Sequence, residues 1–140
     1  MKKGIYSTED TKIMMLTQAS RNQSRLQELI DFMRLSGYKK IGIANCLSKQ
    51  KEAQKLIHIL QQYDFEIYTI NCKDSGLTGS DICNEISGIC CDPISQADYL
   101  NSKNCEFNII VGLCLGHSLL FEKHSQAPTT PLLIKGTVNL

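Results

Sequence analysis

The sequence predicts a three-layer α/β/α domain with a parallel sheet of about four strands, preceded by a long N-terminal helix. Two observations carry this prediction. Short runs of β-branched and aromatic residues alternate with segments of helical periodicity along most of the chain. Three of these runs end at a cysteine or pass into a turn that contains one. Such turns lie at the carboxyl edge of a parallel sheet, which is where α/β proteins bind ligands.

The predicted N-terminal helix begins at Thr8, followed by two acidic residues, and ends at Gly37. Its apolar residues fit one long helix over residues 8–36 or two helices joined near Asn22. A continuous helix would be longer than a sheet of short strands can cover, so its first half would expose apolar surface. We therefore expect a homo-oligomer that forms through this helix.

The strands and later helices follow in the order β-α-β-α-β-α-β. The strands are predicted over residues 41–46, 65–72, 107–111 and 130–135, and helices are predicted to start near Ser48, Asp92 and Ser118. Pro93 suits the first position of the second of these helices. Right-handed crossovers would give a Rossmann-like sheet with helices on both faces.

The prediction is a single α/β domain over residues 1–140. Residues 1–7 are expected to be loose. Residues 73–89 form a polar connection without periodicity that carries Gly76 and Gly79, and we expect a mobile loop there.

Composition limits the class of protein. The formal net charge is +1, with 15 basic and 14 acidic residues and no basic stripe, so we expect no nucleic-acid partner. No apolar run approaches the roughly 20 residues that span a bilayer, and no signal peptide is recognisable. We therefore expect a cytoplasmic protein with no membrane partner. Its seven cysteines then indicate metal binding or thiol chemistry rather than disulfides.

Four cysteines are predicted to meet at one edge of the sheet. Cys46 and Cys72 end the first two strands, and Cys114 lies in the turn after the third. Cys91 precedes a helix N-terminus at the same edge. Four thiolates are a soft donor set that suits an iron–sulfur cluster, or alternatively zinc. An isolated cysteine at a strand end is usually only a small buried apolar residue, but three strand ends and a helix N-terminus together favour a shared site.

Residues near Cys114 could contribute to the same site. His117 is either a further ligand and acid–base group or an ordinary residue of a first helical turn. Gly112 and Gly116 could form a backbone nest for an anion, or could serve close packing. Lys73 and Lys135 follow strands and could face the same edge. The remaining cysteines, Cys83, Cys90 and Cys105, are interpreted as structural or surface thiols, although Cys90 could replace its neighbour as a ligand.

Several motifs are spread over most of residues 10–136. They are Ile41-Gly42-Ile43-Ala44-x-Cys46, Cys72-Lys73, Cys91-x-Pro93-Ile94-x-Gln96-Ala97, Leu100-Asn101, Asn108-Ile109-Ile110-Val111-Gly112-Leu113-Cys114-x-Gly116-His117 and Ala127-Pro128-x-Thr130. Together they resemble an uncharacterised prokaryotic metal-binding protein family, a domain of unknown function. The resemblance implies the same four cysteine ligands and no known reaction. Ser118 stands where many members of that family have Asp.

Three functions remain open at this point. The first is a metal-binding protein with redox or small-molecule chemistry at an iron–sulfur cluster. The second is a metal-free thiol enzyme of the sulfur-transfer type, with Cys114 as nucleophile and His117 as base. The third is a nonenzymatic module that holds a structural metal.

Overall fold

The structure, a computed structural model, describes residues 4–140. The chain divides after Tyr38 into two compact units. Of the predicted loose N-terminal segment, residues 1–3 lie outside the described residues, residues 4–6 form an exposed turn, and Ser7 caps the first helix. Within residues 4–140 no helix is long and apolar enough to cross a membrane.

The first unit contains two helices, α1 (Thr8–Ser20) and α2 (Arg25–Ser36). The prediction of one long N-terminal helix is therefore wrong, and the alternative of two helices joined near Asn22 is what forms. The break has a local cause. The Asn22 side chain accepts a hydrogen bond from the Ser24 backbone at 2.8 Å, and Ser24 in turn caps α2, so polar side chains compete with the helical backbone here.

The break changes the argument for self-association. Helix α1 has 13 residues and is about 20 Å long, which a small sheet could match. The length of α1 therefore gives no reason to expect a second copy of the chain. Ile13, Met14 and Met15 are nevertheless exposed, so self-association through α1 stays a prediction that depends on these side chains alone.

The second unit carries the sheet. Its elements are β1 (Lys40–Asn45), α3 (Gln50–Gln61), β2 (Glu66–Asn71), α4 (Pro93–Ser102), β3 (Phe107–Val111), α5 (Leu115–His124) and β4 (Thr129–Leu133). All paired strands are parallel and their order is β2-β1-β3-β4. This confirms the predicted α/β fold with a four-stranded parallel sheet.

The strand order creates a switch point at β1. The chain runs outward from β1 to β2 and then crosses back to β3 on the other side of β1. Right-handed crossovers place α3 on one face of the sheet and α4 and α5 on the other. Ligands of open α/β sheets bind outside the carboxyl ends of the strands on either side of such a switch point.

Backbone hydrogen bonds join the two ends of the connection from β2 to α4. The Asp92 backbone N–H donates to the Cys72 carbonyl at 2.7 Å, and the Cys90 N–H donates to Leu77 at 2.9 Å. Further out, Thr78 and Ile89 form an isolated antiparallel bridge. The segment over residues 73–89 is thus an excursion with its two ends held together, and its mobility stays a prediction.

Close contact between β1 and β3 explains one glycine. Gly42 is paired with Asn108, whose side chain is fully buried, and a Cβ at Gly42 would collide with the Asn108 amide oxygen. It would also come within 2.8 Å of the Leu100 side chain.

We expect Gly42→Ala to lower the free energy of unfolding by about 1–3 kcal/mol, because the added methyl group overpacks this contact. Urea unfolding followed by circular dichroism measures the change. Gly116→Ala is the matched control, since a Cβ there meets nothing within 4 Å. Equal stabilities of the two variants would contradict the explanation.

Glu106 anchors the start of β1. Its carboxylate accepts hydrogen bonds from the backbone N–H groups of Lys39 at 2.8 Å and Lys40 at 3.1 Å. These bonds, and to a smaller extent the charges of the two lysines, hold the pKa of Glu106 below its ordinary value, against the opposing effect of burial.

Because the folded-state pKa of Glu106 is lowered, its contribution to stability is present above the unfolded pKa of about 4.3 and is lost as pH falls through the folded value. We expect Glu106→Gln to destabilise the protein by at most about 1 kcal/mol at pH 7, since the site is exposed, and by less near pH 3. Urea unfolding at both pH values tests this. Glu85→Gln, at an exposed position of the β2–α4 connection, is the control for removing a surface carboxylate.

Candidate functional site: a cysteine-lined pocket at the sheet edge

The four predicted cysteines lie at the carboxyl end of the sheet. Cys46 and Cys72 follow the last residues of β1 and β2. Cys91 comes directly before Asp92, the N-cap of α4, and Cys114 is the N-cap residue of α5. Parallel pairing brings these segments together although they are far apart in the sequence.

A pocket of about 410 Å³ opens at this edge. Its lining consists of Cys46, Leu47, Ser48, Cys72, Lys73, Cys91 and Lys135. Three of these seven residues are cysteines and two are lysines, and the described lining contains no carboxylate. The pocket therefore combines sulfur ligands with positive charge.

Cys46 has the most polar surroundings of the pocket thiols. Its Sγ lies 3.0 Å from the Ser48 hydroxyl and 3.8 Å from Lys135 Nζ. Burial is the largest influence on the Cys46 pKa and raises it. The hydrogen bonds of Ser48, the charge of Lys135 and a hydrogen bond with Cys72 outweigh burial and leave the pKa below its ordinary value.

Cys72 is the central thiol. Its neighbours in the pocket lining are Cys46 and Cys91, and the Leu47 backbone N–H donates to its Sγ at 3.4 Å. Burial raises the pKa of Cys72 to about 11; the two neighbouring thiols add to this, and the Leu47 N–H opposes it. Adjacent thiols thus have opposite tendencies to ionise.

Lys135 joins Cys114 to this group. Its Nζ lies 3.3 Å from the Cys114 sulfur and 3.8 Å from the Cys46 sulfur. The hydrogen bond to Cys114, followed by the charges of the two cysteines, raises the pKa of Lys135 above its ordinary value. The Lys135 ammonium therefore lies between Cys46, which follows β1, and Cys114, which follows β3.

Asp92 holds the Cys91 side of the pocket. Its side chain accepts from the Ser95 backbone at 3.1 Å and from the Ser75 hydroxyl at 2.5 Å. Burial acts to raise the pKa of Asp92, but these hydrogen bonds lower it further than burial raises it, so the carboxylate is ionised at neutral pH. Cys91 is thereby fixed at the start of α4, as predicted from Asp92 and Pro93.

The other predicted residues lie around the pocket rather than in its lining. His117 is the third residue of α5 and is half-buried. Gly112 has φ 71°, and a Cβ there would meet the Lys49 side chain at 2.5 Å, so it serves close packing after β3. Gly116 faces open space.

The three cysteines outside the predicted set differ in exposure. Cys83 is exposed in the β2–α4 connection, and Cys90 is half-buried beside Cys91. Cys105 is half-buried against the core of the second unit, and burial raises its pKa to about 11.

Sequence reasoning missed the role of Ser48, which was expected only as a helix cap. Its hydroxyl instead contacts the thiol two residues before it. Lys73 and Lys135 were weak candidates, and both line the pocket. A polar hydroxyl shortly after a strand-end cysteine was the available signal.

The pocket thiols have not converged on a single point. Within residues 4–140, no group of three or more His, Cys, Asp or Glu side chains is spaced to hold a metal ion as it stands. The contacts instead form two pairs that share Cys72, with Cys114 linked through Lys135. All seven cysteines, each among the described residues, are free thiols.

Fold and pocket together define the class: an α/β domain with a cysteine-lined pocket at the carboxyl edge of its parallel sheet. The chain belongs to the family described as "Protein of unknown function (DUF1847)", which matches residues 3–132. This confirms the resemblance to a domain of unknown function that the sequence motifs indicate.

A relative from Methanocaldococcus jannaschii, "Uncharacterized protein MJ0455", is 43% identical over 121 residues. The match covers 83% of this chain and 62% of the relative, so the chain spans less than two thirds of that protein's length. No solved structure matches the chain.

We expect mild oxidation of the metal-free protein to give a disulfide that always includes Cys72, paired with either Cys46 or Cys91, because Cys72 is the neighbour of both. Neighbouring strands lie about 4.8 Å apart, within the Cα separation that a disulfide bridges. Peptide mass mapping after diamide treatment identifies the pairs. A main product containing Cys105 would contradict the geometry.

Proposed function

We propose that this chain is a metal-binding protein whose ligands are Cys46, Cys72, Cys91 and Cys114. The observation that supports it is the pocket itself, where thiols from three distant segments line one space and a fourth is linked to it by Lys135. Thiolate donors favour an iron–sulfur cluster, with zinc as the alternative. A reducing cytoplasm, which would keep these thiols available, fits this proposal.

The charges around the pocket support the same proposal. Four thiolates leave either centre with excess negative charge, and Lys73 and Lys135 would offset it. The Lys135 ammonium lies beside two of the sulfur atoms. The donor set thus fits a soft cation, and loading would require the cysteines to move closer together than they now are.

The bound group would decide what the site can do. An iron–sulfur cluster supplies electron transfer or small-molecule chemistry, whereas zinc closed by four cysteines is typical of a nonenzymatic structural module. The chain's own residues would position the ligands: Asp92 fixes Cys91, the Leu47 N–H donates to the Cys72 sulfur, and the Ser48 hydroxyl shares a hydrogen bond with the Cys46 thiol. His117, in the first turn after Cys114, would adjust protonation near the site.

A metal-free thiol enzyme of the sulfur-transfer type is the second candidate. The contacts of Cys46 with Ser48 and Lys135 favour it, since hydroxyl and ammonium donors stabilise a thiolate nucleophile. Lys135 also contacts Cys114, so the Ser48 contact is what indicates Cys46 as the nucleophile in place of Cys114, which we proposed from the sequence.

Anaerobic purification with metal and acid-labile sulfide analysis tests the proposal. A brown protein with iron and sulfide supports a cluster, and bound zinc supports the alternative centre. We expect Cys114→Ser and Cys72→Ser each to lose most of the metal, because each removes one of four ligands.

Cys105→Ser is the matched control and should keep its metal, since this half-buried thiol lies away from the pocket lining. Unchanged metal content in the Cys72→Ser protein would overturn the proposal. A metal-free wild-type protein with one rapidly alkylated thiol would favour the sulfur-transfer candidate instead.

A further inference from the structure

Gln96 joins the ends of two strands beneath the pocket. It lies in α4, one turn after Asp92, and is 1% exposed. Its Nε2 donates to the Ile70 carbonyl at 3.0 Å and to the Asn45 carbonyl at 3.3 Å. Asn45 directly precedes Cys46, and Ile70 lies two residues before Cys72. One side chain therefore links the two strands that deliver these thiols.

The backbone ladder ends just before the thiols. The last paired residues of β1 and β2 are Asn45 and Asn71. Beyond them, the Cys46 N–H donates to Val111 of β3 at 3.1 Å, whereas the Cys72 carbonyl accepts from Asp92 at 2.7 Å. The two cysteines are thus anchored to different neighbours, and ladder hydrogen bonds do not fix the distance between them.

Among the described residues, two contacts donated by N–H groups cross this gap. One is the hydrogen bond from the Leu47 N–H to the Cys72 sulfur, which involves a thiol itself. The other is the pair of bonds from Gln96, which involves backbone carbonyls and is independent of the state of the sulfurs. Gln96 can therefore hold the two strand ends together whether the thiols are free, oxidised or bound to metal.

The Gln96 amide also has an unsatisfied acceptor. Its Oε1 is buried and has no hydrogen-bond partner within residues 4–140. A buried bare acceptor lowers stability, but the Nε2 of the same amide satisfies two backbone carbonyls that an apolar side chain would leave without this donor. At functional sites, proteins keep side chains that cost stability when those side chains hold the geometry of the site.

We propose that Gln96 is a positioning residue that sets the distance between the Cys46 and Cys72 thiols. As a role in metal binding this rests on the proposed function, but the spacing itself can be measured without metal. Cys72 provides an internal comparison, because it lines the pocket with Cys46, across the bridge made by Gln96, and with Cys91, which directly precedes α4.

The test compares two disulfides in metal-free wild-type and Gln96→Met proteins. Diamide takes up two electrons and two protons as two thiols become one disulfide, and peptide mass mapping gives the ratio of Cys46–Cys72 to Cys72–Cys91 product. We expect this ratio to fall about tenfold in Gln96→Met, because disulfide formation depends steeply on the separation of the two residues. Zinc affinity should fall about 10- to 100-fold, as is usual when a residue that orients ligands is replaced.

Asn108→Leu is the control for stability. Asn108 is another buried amide with a bare oxygen, but it lies near the opposite end of β3. We expect this variant to keep the wild-type disulfide ratio even where urea unfolding shows a loss of stability. If Gln96→Met does not fold, Gln96→Asn replaces it, since the shorter amide cannot reach both carbonyls.

A wild-type disulfide ratio in the folded Gln96 variant would overturn the inference and leave Gln96 a purely structural residue. Failure of the proposed function gives a different result: the wild-type protein binds no metal, while the disulfide ratio still changes with Gln96.

Discussion

The parallel pairing of β1 with both β2 and β3 is the constraint on which the rest of the structure depends. It brings the ends of three strands to one edge and leaves the residues after them outside the ladder. The hydrogen bonds of the sheet ladder bring Cys46 and Cys72 to that edge but do not involve their sulfur atoms. The chemistry of the edge is then decided by the side chains that surround each sulfur.

Those surroundings make the thiols unequal. A hydroxyl and an ammonium face Cys46, whereas Cys72 is enclosed by other thiols and one backbone N–H. The edge therefore holds Cys46, whose pKa is lowered, beside Cys72, whose pKa is raised. Both candidate functions are compatible with this difference. Metal binding deprotonates every ligand thiol, whereas a nucleophilic mechanism needs only one thiol to be deprotonated.

Much of the fold and part of the site could be predicted from the sequence. Alternating strand and helix patterns are enough for the parallel sheet. Two strand ends and one helix start are enough to bring Cys46, Cys72 and Cys91 to one pocket. The break at Asn22 could not be decided, because apolar spacing continues through it while side-chain hydrogen bonds end the helix. The link from Lys135 to Cys46 could not be foreseen either, since it depends on strand order and on the reach of a long side chain from beyond β4.

The closed base of the β2–α4 connection has a consequence for how such proteins diversify. Because Asp92 is bonded to the Cys72 carbonyl, the chain leaves the sheet and returns to it at nearly the same point. A segment with joined ends can change in length at small entropic cost and without displacing the scaffold that carries it. Relatives could therefore exchange this excursion for others, and so present different surfaces beside an unchanged set of thiols.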